Sequence, residues 1–234
     1  YFCELKQSND NSMKKWFSFS AAAVVMLLML TSCMTSRYSG TNPSEMGELA
    51  FFQPRANQFY FESSTAPREP SLSAASEELM ADLINSRRYP FSEMIPMDYA
   101  DADSDIANWI NGFYAMDVSD AKHLRVPKRL TEKIVASGHR YGIVVHAYGY
   151  IKSNERYDKE KMAELVGNII RAVFNETPRY SFNDQYANAL YAAVVDTKTD
   201  RVVYFSRVLS NADHPLNRGC VGEQMKSLLK DFER

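Results

Sequence analysis

Residues 140–151, RYGIVVHAYGYI, constrain the fold more than any other stretch of the chain. In an extended strand Tyr141, Ile143, Val145 and Ala147 point one way and Val144, His146 and Tyr148 the other. Both faces are therefore largely apolar. A strand of that kind is stable only when each face is covered, so it predicts a central strand in a sheet with helices above and below.

The remaining elements arrange themselves around it. Asn57–Ser63 is short, aromatic and closed by polar residues, which predicts a first strand. Ser73–Arg88 carries Ala75, Leu79, Met80, Leu83 and Ile84 at helical spacing. Phe91–Met97 predicts a short strand, and Asp105–Phe113 a short helix burying Ile106, Trp109, Ile110 and Phe113. Pro127–Ser137 is a helix with Pro at its start and Gly138 just past its end. Asp158–Phe174 is amphipathic, with Met162, Leu165, Val166, Ile169, Ile170 and Val173 on one stripe and Lys159, Lys161, Glu164, Asn168 and Arg171 opposite. Tyr186–Asp196 and Arg201–Ser210 read as strands of a hairpin, followed by a helix through Val221, Met225, Leu228, Leu229 and Phe232. Strands alternating with helices and a late hairpin predict an α/β fold: a mixed sheet of four to six strands with helices packed on both faces, ending in a β-hairpin and a helix. Its core is expected around Ile143, Val145, Leu190, Val194 and Val203.

Upstream of the domain, Met13–Cys33 reads MKKWFSFSAAAVVMLLMLTSC. Lys14 and Lys15, an uncharged apolar run and small residues before a cysteine describe a secretory signal. Leu30-Thr31-Ser32-Cys33 resembles the lipobox of bacterial lipoproteins, which implies lipid attachment at Cys33 and an extracytoplasmic domain after it. Residues 1–12 precede Met13 and are expected to lie outside the fold, residues 13–32 form the signal, residues 33–56 a polar lipidated tether, and residues 57–234 a single domain. No acidic run follows Cys33, so the tag that some Gram-negative groups use for surface export is absent. With the two acids and three bases of residues 1–33 removed, 27 acids and 24 bases remain. That balance argues against nucleic acid as a partner, because such binding depends on phosphate neutralisation by Lys and Arg. Cys220 is the one cysteine beyond the lipid site, so no disulfide framework is expected.

Leu130 followed by GHRYGIVV at 138–145, and AAVVDTKTDRVVY at 192–204, resemble two steps of a lipoprotein superfamily. Its members include the curli secretion-channel lipoprotein, the penicillin-binding-protein activator lipoprotein and small lipoproteins of unknown role. In the hairpin turn this chain has Asp200 where the family usually has Gly, a residue that tolerates the left-handed conformation. The resemblance implies a periplasmic envelope-assembly role and carries over no catalytic residue.

Chemical motifs are sparse. Asp101, Asp103 and Asp105 alternate as at the start of a calcium loop, but Ile106 replaces the required Gly and Gly112 the required Glu. They read instead as an acidic lead-in to a helix. His123, His139, His146 and His214 have no metal-ligand spacing. No cofactor or metal is expected. His146 and Asp196 are the one inward-looking polar pair that a hydrolase could use. Tyr148, Tyr150, Tyr157, Tyr180, Phe182 and Tyr186 bracket the amphipathic helix and are expected chiefly to fill core and sheet, with a glycan or partner surface as the alternative.

The sequence thus predicts a non-catalytic lipoprotein of a Gram-negative envelope, held by Cys33 in the outer membrane and facing the periplasm. Its expected partners are the membrane through the lipid and a periplasmic protein or a second copy, with Met162, Leu165 and Ile169 as contact residues. An envelope-directed hydrolase and a pore-forming export subunit are the alternatives.

Overall fold

The structure is a computed structural model that describes residues 34–62, 68–100, 103–173, 184–210 and 214–233, without the side chains of 164–173. Cys33, the signal before it and the side chains of Leu165 and Ile169 lie outside the described residues. Met34–Arg234 forms one compact unit.

The strands are β1 (Met34–Ser39), β2 (Leu49–Phe52), β3 (Arg55–Phe61), β4 (Phe91–Ile95), β5 (Tyr141–Lys152), β6 (Tyr186–Asp196) and β7 (Arg201–Ser210). They build one mixed sheet in the order β1-β7-β6-β5-β2-β4, with β3 also pairing β5. Strand β5 is the centre, as its sequence requires. It runs antiparallel to β6 from Tyr141 to Ile151 and parallel, on its other edge, to β2 and then β3. Between those two lies Pro54, which has no amide hydrogen to offer a ladder.

The helices are α1 (Pro70–Asn85), α2 (Ser104–Asn111), α3 (Lys128–Ala136), α4 (Asn154–Val173) and α5 (Arg218–Leu228). They divide between the two faces. Helices α2 and α3 lie over the face of Val144. There Ile106, Ile110, Phe113, Leu130 and Ile134 close a core with Phe52, Ala193, Val195 and Phe205. Gly142 permits the approach of α3, since a Cβ there would sit 2.5 Å from Ile134 Cγ1.

Helices α1 and α5 lie over the opposite face. At one end of the sheet they are seated through a buried polar seam: Ser73 Oγ accepts from Gln58 N, Gln58 Nε2 donates to Ser76 Oγ, and Asn188 Nδ2 donates to Gln224 Oε1. Gly149 belongs to this seam, for a Cβ at that position would meet Gln58 Oε1 at 2.6 Å and the Ala187 carbonyl at 2.5 Å.

The α/β class, the helices on both faces and the hairpin followed by a helix agree with the sequence. Several boundaries differ. The stretch read as a tether is sheet from Met34 onward: β1 pairs β7 from Met34↔Leu209 to Ser39↔Tyr204, and β2 is wholly buried. These two strands raise the sheet to seven. Helix α1 starts at Pro70 and not at Ser73, whose hydroxyl lies inside the helix and donates to the Glu69 carbonyl. Helix α4 starts at Asn154, capped by Ser153 Oγ accepting from Arg156 N, and not at Asp158. Val203, expected in the core, is half-buried. A bulge at Val194/Val195 shifts the β6–β7 register and turns Val202 and Tyr204 inward instead. Asp200 does take the left-handed conformation, at φ 50°.

His146 is fully buried on β5, its Nδ1 3.1 Å from the Arg55 carbonyl and its ring against Tyr191. Burial without a counter-charge pushes its pKa down to about 3. The unfolded chain therefore takes up a proton below about pH 6.5 that the folded chain refuses. Stability should fall as pH drops from about 6.5 toward 3, by up to about 1.4 kcal/mol per pH unit from this one group. Urea denaturation across that range should show a shallower loss in His146→Phe than in the native chain; parallel curves would contradict the assignment.

Candidate binding surface

The two faces of the sheet are unequally covered. At the end of β5 that carries Tyr148–Lys152, Gly149 and Ile151 are buried under α1 and α5. On the opposite face of the same end, Tyr148 and Tyr150 are only half-buried, as are Phe59 and Phe61 of β3, Ala187 and Ala189 of β6 and Leu209 of β7. Strand register places these side by side. Met34 opposes Leu209, Leu209 opposes Ala189, and Ala189 opposes Tyr148. Met34 is 69 % exposed at the sheet's edge. An apolar row thus crosses β1, β7, β6 and β5; its Tyr148 and Ala189 pack against the core under α2 and α3, and the row stays partly exposed.

Its aromatic part is ordered by ring contacts. Tyr148 lies between Phe59, at 5.3 Å between ring centres, and Tyr114, stacked at 5.0 Å with an interplanar angle of 18°. Phe61 meets Tyr150 edge-on at 5.5 Å. Tyr114 comes from the 3-10 turn after α2 and remains 54 % exposed. Two cations rim the row: Arg156 sits over the Phe61 ring at 5.0 Å and Lys152 over Tyr150 at 5.6 Å. Glu160 fixes both, accepting from Lys152 Nζ at 2.7 Å and Arg156 Nε at 2.8 Å. The Lys152 hydrogen bond is the main cause of the lowered Glu160 pKa, supported by the one from Arg156. Burial raises the pKa of Tyr148 and Tyr150, so both keep their phenolic protons.

Helix α4 leaves this same end of the sheet. None of its residues from 154 to 163 is buried, and Met162 is 59 % exposed. The helix carries Leu165 and Ile169 three and seven positions further on, along the same apolar stripe in sequence.

The aromatic cluster expected from sequence is divided. Tyr148 and Tyr150 share the open face, whereas Tyr186 pairs with Ile151 on the other face and packs on His214. Tyr157 lies under Lys161, and Tyr180 and Phe182 are outside the described residues. Tyr148 packs against the core as expected, and both Tyr148 and Tyr150 remain half-buried in a ring row. Sequence reasoning missed Phe59, Phe61 and Tyr114 as members of it; their aromatic identity was visible, but not their convergence.

The hydrolase pair does not form. His146 opposes Tyr191 and Asp196 opposes Tyr141, five steps along β5, or about 17 Å. Asp196 is instead held by Arg140 in a bidentate pair at 2.9 and 2.8 Å, which keeps its carboxyl below the usual range. Asp103 is buried at the start of α2. It accepts from Asp98 N and pairs with Lys133, while no cluster of His, Cys, Asp or Glu suited to a metal exists among the described residues. Cys220 is half-buried in the first turn of α5. Among the described residues no helix is long and apolar enough to cross a membrane.

No family model matches the chain, and no curated protein matches it. Among solved structures it is similar to the PelC dodecamer from Paraburkholderia phytofirmans, with 10 % identity, a TM-score of 0.41 and coverage of 87 % of this chain and 99 % of that one. It is also similar to a DUF4136 family protein from Bacteroides thetaiotaomicron, with 10 % identity, a TM-score of 0.28 and coverage of 86 % and 94 %. The LpoB C-terminal domain from Salmonella enterica gives 9 % identity, a TM-score of 0.28 and coverage of 71 % and 84 %. At these values the function of this chain is argued from its own residues.

Because Met162 is exposed and Tyr114 packs on one side only, their removal should cost little. Met162→Lys should leave stability within about 0.5 kcal/mol of the native chain, and Tyr114→Ala should cost no more than about 1.5 kcal/mol. Thermal denaturation checks both; a loss of several kcal/mol in either would place that side chain in a packed core.

Proposed function

We propose that this protein is a non-catalytic cell-envelope lipoprotein, anchored through Cys33, that binds a periplasmic protein partner through its open aromatic face. The observation that carries the reading is the half-exposed row from Met34 through Leu209 and Ala189 to Tyr148, with Tyr114 stacked on it. An exposed apolar face of this kind, rimmed by cations and rich in tyrosine, has the composition of an interface core. Met162 extends it onto α4, and Leu165 and Ile169 are proposed to continue it.

The anchor accounts for the position of that face. Strand β1 begins one residue after Cys33, and Met34 stands in the same row as Tyr148. The surface would then be presented close to the membrane, on a domain held by its edge strand with no intervening tether. The basic start, apolar run and lipobox-like ending of residues 13–33 support lipid attachment, and an outer-membrane position facing the periplasm is the proposed location.

Metabolic labelling with a fatty acid tests the anchor. Native protein should label and partition with membranes, and Cys33→Ala should lose both, because stable anchoring requires more than one buried acyl chain. Unchanged labelling in Cys33→Ala would refute the anchor. In the lipidated protein, Tyr148→Ala with Tyr114→Ala should abolish co-purification of the partner while the domain stays folded. Retention of every native complex would refute the binding face.

A further inference from the structure

We propose that the pole of the sheet opposite Met34 holds an oxyanion site of phosphate chemistry, built around Arg125 and Arg201. Those two residues form an isolated antiparallel bridge that joins the segment after the 3-10 turn at Val118–His123 to the first residue of β7. Residues facing each other across such a bridge have their Cβ atoms about 5 Å apart, and like charges in that relation repel. Lys122 and His123 line the same recess, so up to four positive groups converge on it.

Among the described residues none of these side chains is held in an ion pair. Arg37, Arg87, Arg140, Arg156 and Arg218 each have an acid within ion-pairing distance, whereas Arg55, Arg68, Arg88, Arg129 and Arg207 have none among the described residues. Among the described residues Lys122, Arg125 and Arg201 have none, although the chain as a whole carries more acids than bases. Asp200 also lines the recess and makes no ion pair with them. The bridge thus sets two exposed arginines opposite each other, with Asp196, which is held by Arg140, facing Arg201 across the β6–β7 ladder.

The recess has the size and donors for a small anion. Its volume is about 240 Å³, below the range of about 300–1,000 Å³ of sites for larger organic ligands. Guanidinium groups bind phosphate oxygens in bidentate fashion, with Lys122 adding a point charge. Arg201 is eight residues along β7 from Leu209, which opposes Met34, so the site is about 27 Å from the start of β1. It is independent of the aromatic face and of the proposed anchor.

The test uses the full chain in detergent, titrated with inorganic phosphate and, at matched ionic strength, with chloride. Phosphate should raise the melting temperature saturably beyond the chloride effect. Arg125→Ala and Arg201→Ala should each weaken that response by at least about tenfold, the scale of losing a charge-assisted hydrogen bond. Lys128→Ala, outside the recess, should leave it unchanged. Without phosphate, Arg125→Ala should melt no lower than the native chain because repulsion is relieved, which separates a lost ligand from a damaged fold. Sedimentation with phosphatidylglycerol vesicles against phosphatidylcholine vesicles distinguishes the source. Arginine-dependent binding to the former assigns a lipid headgroup, and a phosphate response without vesicle binding assigns the free anion. An identical phosphate response in all variants, or no response beyond chloride in the native chain, would overturn the site.

Discussion

Everything in this molecule depends on β5 being hydrogen-bonded along both edges while both of its faces are covered. Antiparallel pairing to β6 and parallel pairing to β2 and β3 satisfy its backbone. That satisfaction is what allows Ile143, Val144, Val145 and Ala147 to be fully dry. A buried carboxylate in their midst would cost several kcal/mol. The same requirement explains the helix distribution. Helices α1 and α5 must close the Val145 face, and α2 and α3 must close the Val144 face, because neither face can be left to water.

At the Tyr148 end of β5 one face of the sheet is only partly covered, and the partial cover is chemically organised. Where β5 passes Tyr148 and Tyr150, α1 and α5 remain on one side through the seam of Gln58, Asn188 and Gln224. On the other side aromatic rings stand in for a helix. Tyrosine suits this role: its ring packs on Phe59 or Tyr114 while its hydroxyl meets water. The sheet is therefore polarised along β5. One end carries rings and an exposed methionine, and the hairpin end carries Arg125 and Arg201.

Much of this was legible in the sequence, for identifiable reasons. β5, β6 and β7 are long, largely apolar runs, and α3 has Pro127 before it and Gly138 after it, so local chemistry marks them. β1 was not legible because MTSRYS is polar. An edge strand draws its stability from backbone pairing with β7 and needs no apolar alternation. β2, LAFF, is too short for any period to emerge. The aromatic row joins Phe59, Tyr114 and Tyr148, and the cationic recess joins Arg125 to Arg201. Both are products of register between distant segments, which no single-chain pattern encodes. Asp196 was legible as a polar strand end but misread as a partner of His146, since the bidentate pair with Arg140 depends on where the hairpin closes.

The claim that the half-exposed aromatic face at the Tyr148 end of the sheet is a binding surface is tested most directly by hydroxyl-radical footprinting of the protein in its native envelope and after isolation. Oxidation of Tyr114 and Met162 should be strongly suppressed in the envelope and high in the isolated chain, while buried Met80 stays protected in both. Equal oxidation of Tyr114 and Met162 in the two states would mean that nothing covers this face, and the account would be contradicted.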